Sequence, residues 1–180
     1  IRPNGSICSQ TGYDAESKMF CAFDPGKFPI IKGPSKKDAL AALNRVKALF
    51  KETEFGSEED RAACICACLT AAVRRALFAA PMFLHTSHLE GSGVGKNYSE
   101  GMVELFVAPA GTGSPLTYKT RKEEMDKALF ARLMEFPETI RFDELAVGVK
   151  LEGSPILLNM LTEPSVSDRV LGISKTVTVP

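Results

Sequence analysis

The feature that most constrains this chain is the stretch APMFLHTSHLEGSGVGKN, residues 80–97. A short apolar run enters a glycine-rich segment, closes on Gly95-Lys96 and gives way to a helix-compatible sequence. That order predicts a buried strand, a loop and a helix N-terminus. Closely spaced glycines at Gly91, Gly93 and Gly95 let successive backbone N–H groups turn toward one centre and cradle an anion. Lys96 adds a point charge, and the helix adds the positive end of its dipole. These are the parts of a phosphate-binding loop. Two positions depart from the usual pattern. Glu90 stands five positions before Gly95, where a small residue is usual, and Asn97 stands where a Mg²⁺-binding Ser or Thr normally follows the lysine. The alternative is a flexible glycine-rich turn with no ligand.

Composition narrows the setting. A chain of 180 residues with 44% hydrophobic and 24% charged side chains is long enough for one ordinary globular domain. Formal net charge is zero, so any nucleic-acid site must be a local patch and not a general basic field. No apolar run reaches the roughly 20 residues that span a bilayer. The N-terminus is polar, without a secretory pattern, and a fragment or processed chain is expected. Five cysteines cannot all pair, and a reducing cytoplasm is the simplest setting. Cys64, Cys66 and Cys68 alternate in an Ala-rich helical segment, so they cannot all converge on one metal; small buried thiols are expected. Cys8 and Cys21 could pair or bind metal, though nothing in the sequence demands it.

Three regions follow one another. Residues 1–36 are rich in Gly, Pro, Asn and Ser and read as turns and short extended pieces. Residues 37–80 form a lead-in of two helices. Ser35 with Asp38 makes a capping box for the first, with Leu40, Leu43, Val46 and Phe50 at helical spacing. Ser57 caps the second, Glu58–Asp60 and Arg74-Arg75 suit its dipole, and Ile65, Leu69, Val73 and Leu77 form the expected apolar stripe. Residues 81–180 alternate strand and helix: strand 82–84, the glycine loop, a helix over about 96–107, strand 116–118, a helix capped by Thr120 and Glu123, and strand 139–142. Met125, Ala128, Leu129 and Leu133 are the core stripe of that last helix, which Pro137 ends. This βαβαβ order predicts an α/β fold with a parallel sheet. Beyond it, residues 156–161 read as helical, and 169–174 with 175–179 as a strand pair.

The second motif is TIRFDEL, residues 139–145. A phosphate loop needs an acidic partner at the tip of a neighbouring parallel strand, where a carboxylate holds the water shell of Mg²⁺. Asp143 is placed for that role, and Glu144 would orient the attacking water. Thr139 and Arg141 interrupt the apolar run expected of such a strand. The plain alternative is an exposed acidic pair at a strand–loop junction. His85 and His88 flank the loop without an evident orienting partner and read as packed or surface histidines. Lys119, Arg121 and Lys122 form a small basic cluster, read as a solvated face or as a phosphate contact.

With these motifs in order, the chain resembles the ATPase region of helicase and primase–helicase proteins from phages, plasmids and integrative elements. The resemblance runs through IRPNGSI with GYD (residues 1–14), AACICACLTAAVRRALFAAPMFL (62–84), the GVGKN loop, LTYKTRKEEMDKALFARL (116–133), the FDE strand and LTEPSVSDRVLGISKTVTVP (161–180). It implies a three-layer P-loop ATPase core of the additional-strand (ASCE, AAA+-like) kind over residues 81–180, similar to superfamily 3 helicases and acting as a homo-oligomeric ring on DNA, single-stranded DNA being the expected form. Carried over residue by residue, Gly95 and Lys96 resemble the phosphate-binding glycine and lysine, and Asp143 and Glu144 the Mg²⁺-binding and water-activating acids. ATP and Mg²⁺ are the implied cofactors, with Asn97 replacing the usual Mg²⁺-binding hydroxyl. The loop is lengthened around residues 89–92. In relatives, the polar sensor and the arginine finger follow the TVTVP-like segment, so a C-terminally truncated core is expected. A hairpin between the acidic and sensor strands grips DNA in such helicases, which would put Lys175 against a phosphate near its tip. The competing expectation is a non-catalytic module with a degenerate loop, serving assembly or DNA docking.

Overall fold

The structure is a computed structural model that describes residues 1–2, 4–28, 31, 33–87, 95–107, 115–143, 145, 154–170, 172 and 175–179. The chain divides into two compact units, Ile1–Leu77 with His85–Ser99, and Phe78–Leu84 with Glu100–Pro180.

In the first unit, β1 (Gly12–Asp14) and β2 (Met19–Cys21) form an antiparallel hairpin that pairs Tyr13 with Phe20. Asp14 organises the chain around it. Its carboxylate accepts from Arg2 Nη2 at 2.8 Å and Nε at 3.0 Å, and from the Ser17 backbone N–H at 3.0 Å. The Arg2 guanidinium, and then Ser17, hold the Asp14 carboxyl well below the usual carboxylate range. Helix α1 (Lys36–Leu49) starts with the expected reciprocal box: Ser35 Oγ accepts from Asp38 N at 3.3 Å, and Asp38 Oδ2 accepts from Ser35 N at 2.9 Å. Such a cap stabilises by about 1 kcal/mol. Phe50, which follows α1, is fully buried, whereas Leu40 of the same expected stripe is exposed.

Helix α2 (Glu58–Val73) also starts as expected, with Ser57 Oγ accepting from Asp60 N at 3.1 Å. Its buried face differs. Cys64, Ile65, Ala67 and Cys68 are buried, while Leu69 is 43% exposed. The stripe Ile65-Leu69-Val73-Leu77 steps by four, and each step drifts about 40° around a helix with 3.6 residues per turn. It therefore leaves the core face within two steps. Cys64 and Cys68 are buried and Cys66 is exposed, as alternation on a helix requires.

Helix α3 (Lys96–Leu105) begins in the first unit, and its residues from Glu100 belong to the second. In the second unit, β3 (Leu116–Thr117), α4 (Lys122–Leu133) and β4 (Phe142–Asp143) make the expected βαβ order. The two strands run parallel, with Leu116 opposite Phe142 and Thr117 opposite Asp143. Helix α4 starts one residue later than its sequence suggests. Arg121 occupies the cap position without a side-chain bond, so the Thr120–Glu123 box does not form. That shift puts Glu124 at the third helical position, where it pairs with Lys127 at 2.9 Å.

Helix α5 (Pro155–Thr162) is capped by Ser154, whose Oγ accepts from Leu157 N at 3.1 Å and donates to Asp126 Oδ1 at 2.5 Å. Strands β5 (Val166–Arg169) and β6 (Thr176–Val179) pair antiparallel. The expected pair is present, but its first strand lies three residues earlier than composition suggests. Val166 and Val179 are opposite each other and buried, and their burial sets the register. They close a core with Met125, Leu129, Phe130, Ile156 and Leu157.

The described residues thus give a mixed α/β fold with three two-stranded sheets, of which only β3–β4 is parallel. An extended parallel sheet is not among them. Residues 82–84, expected as a strand entering the glycine loop, join no ladder among the described residues. The run is only three residues long and follows Pro81, which has no N–H to give a ladder; Met82 and Leu84 are exposed. No helix among the described residues is long and apolar enough to cross a membrane.

Candidate functional site

Gly95, Lys96 and Asn97 lie consecutively at the exposed start of α3. Gly95 adopts φ +84°, in the left-handed region that favours glycine, and no atom lies within 4 Å of where a Cβ would stand. Its requirement is therefore conformational, not steric. The Gly95 carbonyl accepts from the N–H groups of Tyr98 at 3.1 Å and Ser99 at 3.2 Å, which starts the helix.

Two neighbours anchor this first turn from behind. Tyr98 Oη donates to the Leu49 carbonyl at 3.1 Å, and the Tyr98 ring meets buried Phe50 edge-on at 6.5 Å between centroids. Ser99 is buried and hydrogen-bonded with the Cys64 thiol, which burial pushes up and this bond lowers in part. Anchored there, the turn presents Lys96 and Asn97 to solvent at the positive end of a helix. That chemistry suits an anion.

In the second unit, Asp143 ends β4 and is exposed, opposite Thr117 of the parallel partner. A carboxylate at the carboxyl end of a parallel strand is where α/β folds hold ligands and metal-bound water. Arg141, just before β4, lies 3.8 Å from Glu100 and 3.6 Å from Glu104, both on α3, while its carbonyl accepts from Leu116 N at 2.7 Å. Sequence reasoning took Arg141 for a flaw in an apolar strand. The signal it missed was the i, i+4 spacing of Glu100 and Glu104, one cation-facing row on a helix. Within the second unit, Arg141 links the Glu100–Glu104 turn of α3 to the strand that carries Asp143.

The remaining expected residues fall as follows. Gly91, Gly93 and Glu144 lie outside the described residues, as do Glu90 and His88. His85 is half-buried, and burial lowers its pKa, which fits a packed neutral imidazole. Lys119, Arg121 and Lys122 are exposed just beyond β3. Lys175 is exposed and closes the β5–β6 turn through its carbonyl, which accepts from Val170 N at 3.0 Å. It therefore stands next to the β5–β6 ladder. Among the described residues, no three His, Cys, Asp or Glu side chains are grouped to hold a metal.

No protein-family model matches the chain, and neither a curated protein nor a solved structure matches it.

Proposed function

We propose that this chain is the ATP-binding motor domain of a mobile-element DNA replication helicase, built around a three-layer P-loop core of the ASCE kind. The observation that carries the reading is the start of α3: a left-handed Gly95, then Lys96 exposed on a helix turn anchored by Tyr98 and Ser99. Asp143, exposed at the carboxyl end of a parallel strand in the second unit, supports it.

In this reading the N–H groups around Gly91, Gly93 and Gly95 cradle the phosphates, and Lys96 neutralises the β/γ oxygens. Asp143 and Asn97 would hold Mg²⁺, Asn97 through its amide oxygen, and Asp143 has the oxygen chemistry and exposure such an ion requires. The ion would supply charge neutralisation at the transferring phosphoryl group. Glu144 orients the attacking water. Single-stranded DNA is the proposed polymer, with exposed Lys175 as one phosphate contact, in a homo-oligomeric cytoplasmic ring.

One observation favours a second reading, a non-catalytic module for assembly or DNA docking. Residues 82–84, expected to lead into the glycine segment, join no ladder among the described residues. Glu90 and Asn97 point the same way. Calorimetric titration with ATP and Mg²⁺ separates the two. The motor reading expects binding by the native chain and at least a tenfold loss in Lys96→Ala, a loss of about 1.4 kcal/mol. Equal signals from both proteins, or none from either, would leave the docking module.

A further inference from the structure

Cys8 and Cys21 bring their sulfurs to 3.3 Å in the N-terminal hairpin, and both residues are only half-buried. Cys21 ends β2 opposite Gly12, so its position is fixed by the ladder. Cys8 is held from the other side. Arg2, clasped by Asp14, donates from Nη1 to Ser6 Oγ at 3.0 Å, and the Arg2 N–H bonds the Ser6 carbonyl at 2.8 Å. The chain thus arrives at Cys8 already tied to the hairpin. The sulfurs need to close by only roughly 1.3 Å to reach bonding distance.

We propose that Cys8 and Cys21 form a site of reversible oxidation that reacts with low-molecular-weight disulfides and closes an intramolecular bond across the hairpin. The thiolate of one cysteine attacks a sulfur of oxidised glutathione, forming a mixed disulfide and releasing one glutathione thiolate. The second cysteine loses its proton and attacks the protein sulfur of that mixed disulfide, expelling the second glutathione. Two protein thiols are oxidised, and one glutathione disulfide is reduced to two thiols. The other cysteines are poor competitors. Cys64 and Cys68 are buried, out of reach of a dissolved disulfide, whereas Cys8 and Cys21 are half-buried. Cys66 is exposed on the opposite face of α2, where alternation points it away from Cys64 and Cys68. The bond would clamp residues 8–21 in the folded hairpin, and closing a loop of that size slows cleavage through local opening roughly a hundredfold.

The test incubates the full chain in glutathione buffers of graded redox ratio, quenches with acid, alkylates in denaturant and maps the peptides. The expected result is a Cys8–Cys21 linked peptide that forms before any other modification, leaving Cys64, Cys66 and Cys68 alkylated, and that disappears on reduction. Trypsin should then cut within residues 8–21 far more slowly in the oxidised chain, and equally fast before and after oxidation in Cys8→Ser. Glutathione adducts on Cys8 or Cys21 without the linked peptide would overturn the proposal. So would links to Cys64, Cys66 or Cys68, or no reaction at ratios that oxidise Cys66.

Discussion

Single residues carry much of the local strain and charge in this chain. Phe136 follows α4 at φ +52°, is exposed, and precedes Pro137. Its backbone N–H bonds the Leu133 carbonyl at 2.9 Å, so the left-handed turn ends the helix. A side chain in that conformation costs roughly 1–2 kcal/mol, part of which glycine gives back as unfolded-chain entropy. Phe136→Gly should therefore stabilise by about 0.5–1 kcal/mol, read as a raised denaturant midpoint at unchanged slope. A lowered midpoint would mean that the Phe136 ring contributes more than its exposure suggests. Asp14 makes a pH-dependent contribution. Its carboxyl is depressed by Arg2 and Ser17, so its stabilisation is present above the ordinary carboxylate pKa of about 4 and is lost as pH falls below that value. Hydrogen exchange in β1–β2 should accelerate, relative to its intrinsic rate, as pH falls below about 4 in the native chain. Asp14→Asn should start from weaker protection and lack this transition. The same transition in both proteins would remove Asp14 as its cause.

At the scale of elements, what was legible in the sequence was what is local. The caps of α1 and α2 each need two residues three apart, and Ser35–Asp38 and Ser57–Asp60 both form. The order β3, α4, β4 was also legible, because a helical run between two short apolar runs implies a parallel crossover. Less legible were features set by distant partners. The β5–β6 register follows the burial of Val166 against Val179, not the local richness of residues 169–174 in apolar side chains. The exposed start of α3 was readable from Gly95-Lys96, but its anchors Tyr98 and Ser99 act through Leu49, Phe50 and Cys64, far away in sequence. Arg141 was misread for the same reason. Removing it should leave the partly buried Glu104 without the cation 3.6 Å away and remove the positive charge beside Glu100. Arg141→Met should cost about 1–3 kcal/mol in denaturant unfolding, and adding Glu100→Gln with Glu104→Gln should recover part of that loss. An unchanged midpoint in the single variant would show that the clasp does not hold α3 to the β4 strand.

For the whole molecule, the described residues establish a mixed α/β chain in two units, with Lys96 in the first and Asp143 in the second. The proposed motor requires one nucleotide and one metal ion to be served by both residues. Paramagnetic relaxation tests this most directly. Mn²⁺ with ATP would replace Mg²⁺, and amide signals of the isotope-labelled full chain would be followed by NMR. The account predicts selective broadening at both Gly95–Asn97 and Phe142–Asp143, reversed by excess Mg²⁺ and ATP and absent in Lys96→Ala. Broadening of only one of these segments, or the same broadening from Mn²⁺ without nucleotide, would contradict it.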